Sequence, residues 1–368
     1  MIASRTLKKF VFFVVIAAVA VPLRYGSTNH KYILLRLIHS ALTIKNCFVV
    51  DKNRPTLSAA YRAFEEILKS NKEPPYDPLA DTLTTIQQQR ASFPLGYIIP
   101  KPFQCQITKE IFIYGGHNVD AYWVDHRQKH SQKRSDKIIL YFHGGSYTLG
   151  DIHSYSGTEC NYSKLFNMTI LHLEYRLIPE YPVPSALEDA VAIYRALLAQ
   201  GIEPSQIFIM GDSAGGGLAP LLTIQYLITH QLPVPHGVIV LAPWTDLSLS
   251  GESYTRNHDT DVMFNSDNTK WEVKVIVDTH ASKLPPNDPI FSPLFGSFKG
   301  FPPMYVNVGT ADTLEDDARG VVKKAQEAGV SVTFETGLHL MHVYPAFFDY
   351  FAEARQTLDN INKWIHSI

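Results

Sequence analysis

The chain has 368 residues, 45% of them hydrophobic and 18% charged. That length can bury a sizeable core, either as two domains or as one large α/β unit with an insertion. The net charge is −2, with acidic and basic residues interspersed, which excludes the basic face that a nucleic-acid partner requires.

The amino terminus differs from the rest. Arg5, Lys8 and Lys9 precede an unbroken apolar run from Phe10 to Leu23. These 14 residues would span about 21 Å as a helix, short of the roughly 30 Å hydrocarbon core. Three readings stay open. One is a signal anchor extended through Tyr25, with Lys8, Lys9 and Arg24 snorkelling. Another is a signal peptide with a small-x-small site at Ala18 and Ala20, which would give a secreted body. The third is a buried helix of a soluble body. Insertion would keep the basic flank cytoplasmic and place the body in the lumen, so the expectation is membrane association through residues 10–23.

Residues 32–44 carry apolar side chains at helical spacing flanked by Arg36 and Lys45. They fit either a membrane-surface helix or one packed on the body. Residues 57–69 form a second amphipathic pattern, followed by the proline-rich connector EPPYDP at 73–78. From about residue 107 the pattern becomes strand, turn, helix. Strands are predicted at Ile107–Tyr114, Asp120–Val124, Lys137–Phe142, Ile170–Glu174, Ile207–Met210, Val238–Leu241, Met304–Val308 and Val332–Glu335. Several are continuous apolar runs, as suits strands buried on both faces. Helical patterns at 185–200, 215–230, 315–328 and 345–366 alternate with them. The predicted fold class is therefore α/β, a mostly parallel sheet flanked by helices. Residues 244–290 break the alternation and are predicted to form a lid. The domain reading is an anchor or signal segment at 1–50, helices belonging to a cap at 51–104, and a main domain at 105–368. Cys47, Cys105 and Cys160 show no C-x-x-C and no His/Cys ligand spacing, so neither a disulfide framework nor a zinc site is expected.

Chemistry concentrates at a few turns. In IFIMGDSAGGG, residues 207–217, an apolar strand runs through Gly211-Asp212-Ser213-Ala214-Gly215 into a helix. This G-x-S-x-G elbow forces a serine onto a strained turn, and the helix N-terminus adds free N–H groups and a positive dipole end beside it. Upstream, a second apolar strand ends at His143-Gly144-Gly145. Glycine-loop N–H groups there, with that of Ala214, could bind a developing oxyanion. A serine hydroxyl needs a base, and this chain order requires the acid and histidine to follow Ser213. Asp312 sits at a strand end, with Asp316 and Asp317 as alternatives inside the next helix. His342 precedes the last helix, with His339 as its alternative.

The segments HGGSY (143–147), YRLIPEYPVPSALED (175–189), GDSAGG (211–216), D-x-L-x-D (312–316) and MHVY (341–344) resemble the hormone-sensitive-lipase group of α/β hydrolases. The likeness covers roughly residues 105–368. It implies a triad of Ser213, Asp312 and His342, and an oxyanion hole at Gly144, Gly145 and Ala214. One position departs from the pattern: the usual third glycine of HGGG is Ser146. The amino-terminal run is similar to that of arylacetamide-deacetylase-like enzymes and fungal steryl-acetyl hydrolases, both membrane-associated in the endoplasmic reticulum. The implied activity is hydrolysis of a small or lipophilic carboxylic ester through an acyl-serine, with no cofactor or metal. The alternatives are an amidase or peptidase of the same fold, or a non-catalytic binding protein. Tyr147, Trp244, Phe264 and Trp271 are candidates for the pocket wall. Arg176, Glu180 and Asp189 are read as an internal ion-pair network, and Asp212 as structural. Asn161 and Asn167 head glycosylation sequons.

Overall fold

The computed structural model describes residues 29–70, 81–93, 95–127, 137–217, 221–264, 266–281 and 284–368. The apolar run at 10–23 and the connector at 73–78 lie outside the described residues. Among the described residues, no helix is long and apolar enough to cross a membrane.

An eight-stranded sheet organises the molecule. Its strands are β1 (Gln106–Tyr114), β2 (His117–Asp125), β3 (Ile138–Phe142), β4 (Thr169–Leu173), β5 (Ile207–Asp212), β6 (Gly237–Leu241), β7 (Met304–Gly309) and β8 (Val332–Gly337). Their spatial order is β1-β2-β4-β3-β5-β6-β7-β8. The β1–β2 hairpin and the β2–β4 pair are antiparallel; every other pair is parallel. The strand pattern read from the sequence is reproduced throughout. Every residue of β3, β5, β6 and β7 is buried, which is why these read as unbroken apolar runs. The edge strand β1 leaves Ile111 and Ile113 exposed.

Helices cover both faces. Helix α1 (His30–Asn46) packs on α2 (Ala59–Ser70). Tyr32 and His39 of α1 turn inward, while Leu34, Ile38 and Ile44 stay exposed. Thus α1 packs on the body and still presents an apolar stripe. Helix α3 (Thr82–Ser92) places Arg90 against Glu180, at 2.7 Å. This corrects the expected network. Arg176 pairs with Asp189 and Glu188, but Glu180 belongs to Arg90. The pairing could not be foreseen because 90 residues separate the partners.

The expectation of no disulfide is also overturned. Cys105, just before β1, is bonded to Cys160 inside α4 (Ile152–Phe166). A separation of 55 residues gives no local pattern; only the packing of α4 beside the β1 entry joins them. Cys47 is free and exposed. Helix α4 also decides the sequons' setting. The amide of Asn161 donates to the Gly157 carbonyl at 2.8 Å, and Ser163 is fully buried. Asn167 occupies the left-handed cap of the same helix.

The carboxyl-terminal helix starts later than its pattern suggested. A 3-10 turn covers Tyr344–Phe347, and α5 runs from Ala352 to Ile365. Four aromatic residues, Phe347, Phe348, Tyr350 and Phe351, sit at that break and are all buried. Phe64 of α2 packs on three of them, Phe347, Tyr350 and Phe351. The aromatic cluster favours a tight chain reversal here over a continuous helix.

Candidate active site

At the end of β5 the chain turns directly into a short helix at Ser213–Gly217. Ser213 has φ of 54°, in the left-handed region, and is 6% exposed. The strain is imposed by crowding from both sides. A Cβ at Gly211 would lie 2.2 Å from the Gly215 carbonyl oxygen, and one at Gly215 would lie 2.2 Å from that of His143. Side chains at either position would force the elbow apart, so the G-x-S-x-G spacing has a steric reason.

Three residues distant in sequence meet here. The Nε2 of His342 lies 2.9 Å from the Ser213 hydroxyl oxygen. Its Nδ1 lies 3.0 Å from Oδ2 of Asp312, and Asp312 is fully buried. The Asp312 carboxylate also accepts the Leu314 N–H at 2.8 Å, which fixes its plane. Burial by itself would lower the His342 pKa, but the facing carboxylates of Asp312, Asp261 and Asp212 outweigh it and hold the imidazole above its ordinary value.

The alternatives lie elsewhere. Asp316 pairs with Arg256 at 2.7 Å. Asp317 accepts the N–H groups of Thr245 and Asp246 at 2.7 and 2.8 Å, and so anchors the start of the insertion; burial pushes its carboxyl up to about 8. His339 donates its backbone N–H to Thr310 and its carbonyl accepts the Tyr61 hydroxyl. Neither aspartate nor His339 touches Ser213 through a side-chain hydrogen bond.

The glycine loop lies over the elbow. A Cβ on Gly144 would fall 3.1 Å from that of Ser213. Gly145 has φ of 116°, and its carbonyl accepts the N–H groups of Thr148 and Leu149 at 2.9 and 2.8 Å. Ser146 and Tyr147 both hold positive φ, 53° and 61°. Glycine would satisfy Ser146's backbone more easily; here serine fills the place and stays buried. The Tyr175 hydroxyl donates to the His143 carbonyl at 2.7 Å, tying the loop to the body.

Aromatic rings cluster beside His342. Tyr147 stacks on Trp244 at 6.0 Å, Phe264 meets Trp244 edge-on at 5.9 Å, and Phe264 covers His342 at 5.1 Å. Trp244 is fully buried and donates its backbone N–H to the Ser213 carbonyl at 2.9 Å. Trp271 lies instead on a helix of the insertion (Ser266–Asp278), half-buried against the core.

A family model described as the alpha/beta hydrolase fold matches residues 139–346, more than half of the chain. The chain belongs to this family. Among known relatives, an acetyl-hydrolase of Streptomyces hygroscopicus is 34% identical over 227 residues, covering 62% of this chain and 74% of the relative. An esterase of Acinetobacter venetianus is 32% identical over 238 residues, covering 65% and 77%. Two solved structures agree: an esterase/lipase from an uncultured bacterium, TM-score 0.74 and 28% identity over 84% of this chain and 99% of that one; and an esterase of the bacterial hormone-sensitive lipase family, TM-score 0.72 and 29% identity over 84% and 98%. This hormone-sensitive-lipase-like α/β hydrolase is a serine hydrolase of carboxylic esters.

Sequence reasoning missed one contributor to the site. Asp261, in the insertion, comes to the acid's turn and faces His342. Its segment is polar and aperiodic, so no pattern singled it out.

Proposed function

We propose that the hydrolase works through Ser213, His342 and Asp312, and that its substrates are esters of short acyl groups, acetate foremost. The observation that carries the first part is the continuous chain Ser213 Oγ, His342 Nε2, His342 Nδ1, Asp312, at 2.9 and 3.0 Å. Asp312 fixes the tautomer in which Nε2 is free to accept a proton. His342 takes the Ser213 proton as Oγ attacks the ester carbonyl. The oxyanion rests on N–H groups of the Gly144–Gly145 loop and of Ala214. The Gly144 N–H also faces the Asp212 carboxylate, so Gly145 and Ala214 carry the larger share. The carbon–oxygen ester bond then breaks, and His342 gives its proton to the leaving alcohol. Water, deprotonated by the same histidine, releases the acid and restores Ser213.

The preference for short acyl groups is supported by the aromatic cluster. Tyr147 stacks on Trp244, and Phe264 meets Trp244 and lies over His342, so rigid rings, which do not swing aside for a long chain, stand beside the base. A relative named acetyl-hydrolase points the same way. The insertion at 244–290 and the helices at 51–104 act as the cap over this domain. The Tyr61 hydroxyl reaches the loop that carries His342, by way of the His339 carbonyl.

Membrane attachment belongs to the same proposal. The basic flank and apolar run at 10–23 supply an anchor, and the exposed Leu34, Ile38, Phe48 and Val50 face outward just after it. An anchor of this polarity places the body in the lumen of the endoplasmic reticulum.

One set of measurements tests these points. The wild type should react with a fluorophosphonate and Ser213→Ala should not; labelling that survives the substitution refutes the nucleophile. A series of acyl esters of one alcohol should give kcat/KM falling from acetyl to octanoyl. Carbonate extraction of membranes should leave the full chain in the pellet; release into the supernatant refutes the anchor.

A further inference from the structure

Asp261 is 1% exposed and carries a carboxylate, a combination that is costly unless every lone pair finds a partner. Its partners come from two turns. Oδ2 accepts the N–H of Thr313 at 2.9 Å, and Oδ1 accepts those of Met263 and Phe264 at 3.0 and 3.1 Å. Thr313 is the residue after Asp312. Phe264 is the ring lying on His342, at 5.1 Å. One carboxylate therefore grips the backbone beside the acid and the backbone beneath the ring that covers the base.

Neighbouring residues of the insertion hold the same turn. Asn257 donates its amide to the Asp312 carbonyl at 2.7 Å, and the Ser253 hydroxyl donates to the Thr313 carbonyl at 2.7 Å. The front half of the insertion is thus fastened to the acid's turn, and Asp261 bonds both segments through one carboxylate.

We propose that Asp261 is a positioning residue for ester hydrolysis: its carboxylate joins the turn that carries Asp312 to the turn that lays Phe264 against His342, so that seating the insertion completes the triad. This rests on the Ser213–His342–Asp312 reading. Two consequences follow. Losing the carboxylate lets the acid's turn and Phe264 shift independently. Losing its charge removes an anion that helps to stabilise the imidazolium formed as Ser213 attacks. The titratable groups facing Asp261 are Asp312 and His342, and Tyr61 from α2; Asp212 faces His342 from the elbow side.

The test uses Asp261→Asn and Phe264→Leu in the full chain, with an acetyl ester and a fluorophosphonate. Asp261→Asn keeps the size but places an N–H₂ against N–H donors. Its kcat per titrated active site should fall about tenfold or more, the equivalent of one pK unit or more of lost stabilisation. The acid limb of its kcat/KM profile should move to lower pH, because a nearby anion raises an imidazole's pKa. Phe264→Leu should change KM and acyl-chain preference and leave the acid limb in place. If Asp261→Asn gives no folded protein by circular dichroism, Asp261→Ser carries the same test, since a hydroxyl and a water can replace part of the acceptor. A folded variant at Asp261 with wild-type kcat and an unmoved acid limb overturns the proposal. Wild-type protein that a fluorophosphonate does not label would instead overturn the triad reading beneath it.

Discussion

Two buried histidines in this molecule are each paired with a carboxylate, and they behave differently. His342 faces Asp312 at 3.0 Å at the sheet's carboxyl end. His172, on β4, faces Glu159 of α4 at 2.6 Å, and its other nitrogen lies 3.4 Å from Glu174. Both pairs are almost wholly buried. Burial disfavours the charged ring in His172, but two carboxylates overcome that and push its pKa up to about 10. His143 stacks beside it at 5.4 Å and is driven the other way, down to about 4, by burial and by His172 itself. A buried histidine with a carboxylate is therefore not a general base by that fact. What distinguishes His342 is its second nitrogen: it meets a hydroxyl held on a strained elbow, whereas that of His172 meets another acid.

The comparison can be broken in several places. The largest effect is expected for Ser213→Ala or His342→Ala, about a millionfold loss of kcat in an ester assay, with the melting temperature little changed. Asp312→Asn should cost about ten-thousandfold, because the wrong tautomer is then favoured; a loss below tenfold would mean that another carboxylate orients the base. His172→Asn should act on stability, by about 3 kcal/mol or more in urea denaturation at pH 7, since it strands Glu159. Its kcat per titrated site should stay close to wild type.

The sign of the pH effect separates the two histidines further. His172 has a folded pKa above its unfolded one, so its contribution is complete below about 6.5 and fades as pH rises towards about 10. The stability gap between wild type and His172→Asn should therefore narrow over that range. For His342 the readout is activity. Its imidazole must be neutral to act, and its pKa is raised, so kcat/KM should fall on the acid side with a limb above the ordinary imidazole value. The smallest effect is expected for Tyr175→Phe, about 1 kcal/mol from the lost hydrogen bond to the His143 carbonyl. A large drop in kcat for this variant would show that the His172 side of the loop contributes directly to the oxyanion hole.

How much of this was legible beforehand depends on the range of the interaction. The central strands announced themselves because both faces are buried, and that burial is a local demand on each residue. The elbow did so because a Cβ at Gly211 or Gly215 collides with backbone, which restricts the residue type outright. Asp312 and His342 could be picked by chain order and strand ends. The sequence could not exclude Asp316, Asp317 or His339; the structure places each of them on other partners.

By itself, then, the sequence determined the α/β order and the strained serine, and offered Asp312 and His342 among a few candidates. These rest on local sterics and periodicity, which leave a trace within a few residues. The tertiary structure alone decided the Cys105–Cys160 bond, the Arg90–Glu180 pair, the pairing of His172 with Glu159 and the place of Asp261. Each depends on a contact between different elements of the fold, and such a contact imposes no local pattern on either segment. The serine elbow was readable because its constraint is backbone against backbone. What surrounds it was not, because those constraints are side chains meeting across the fold.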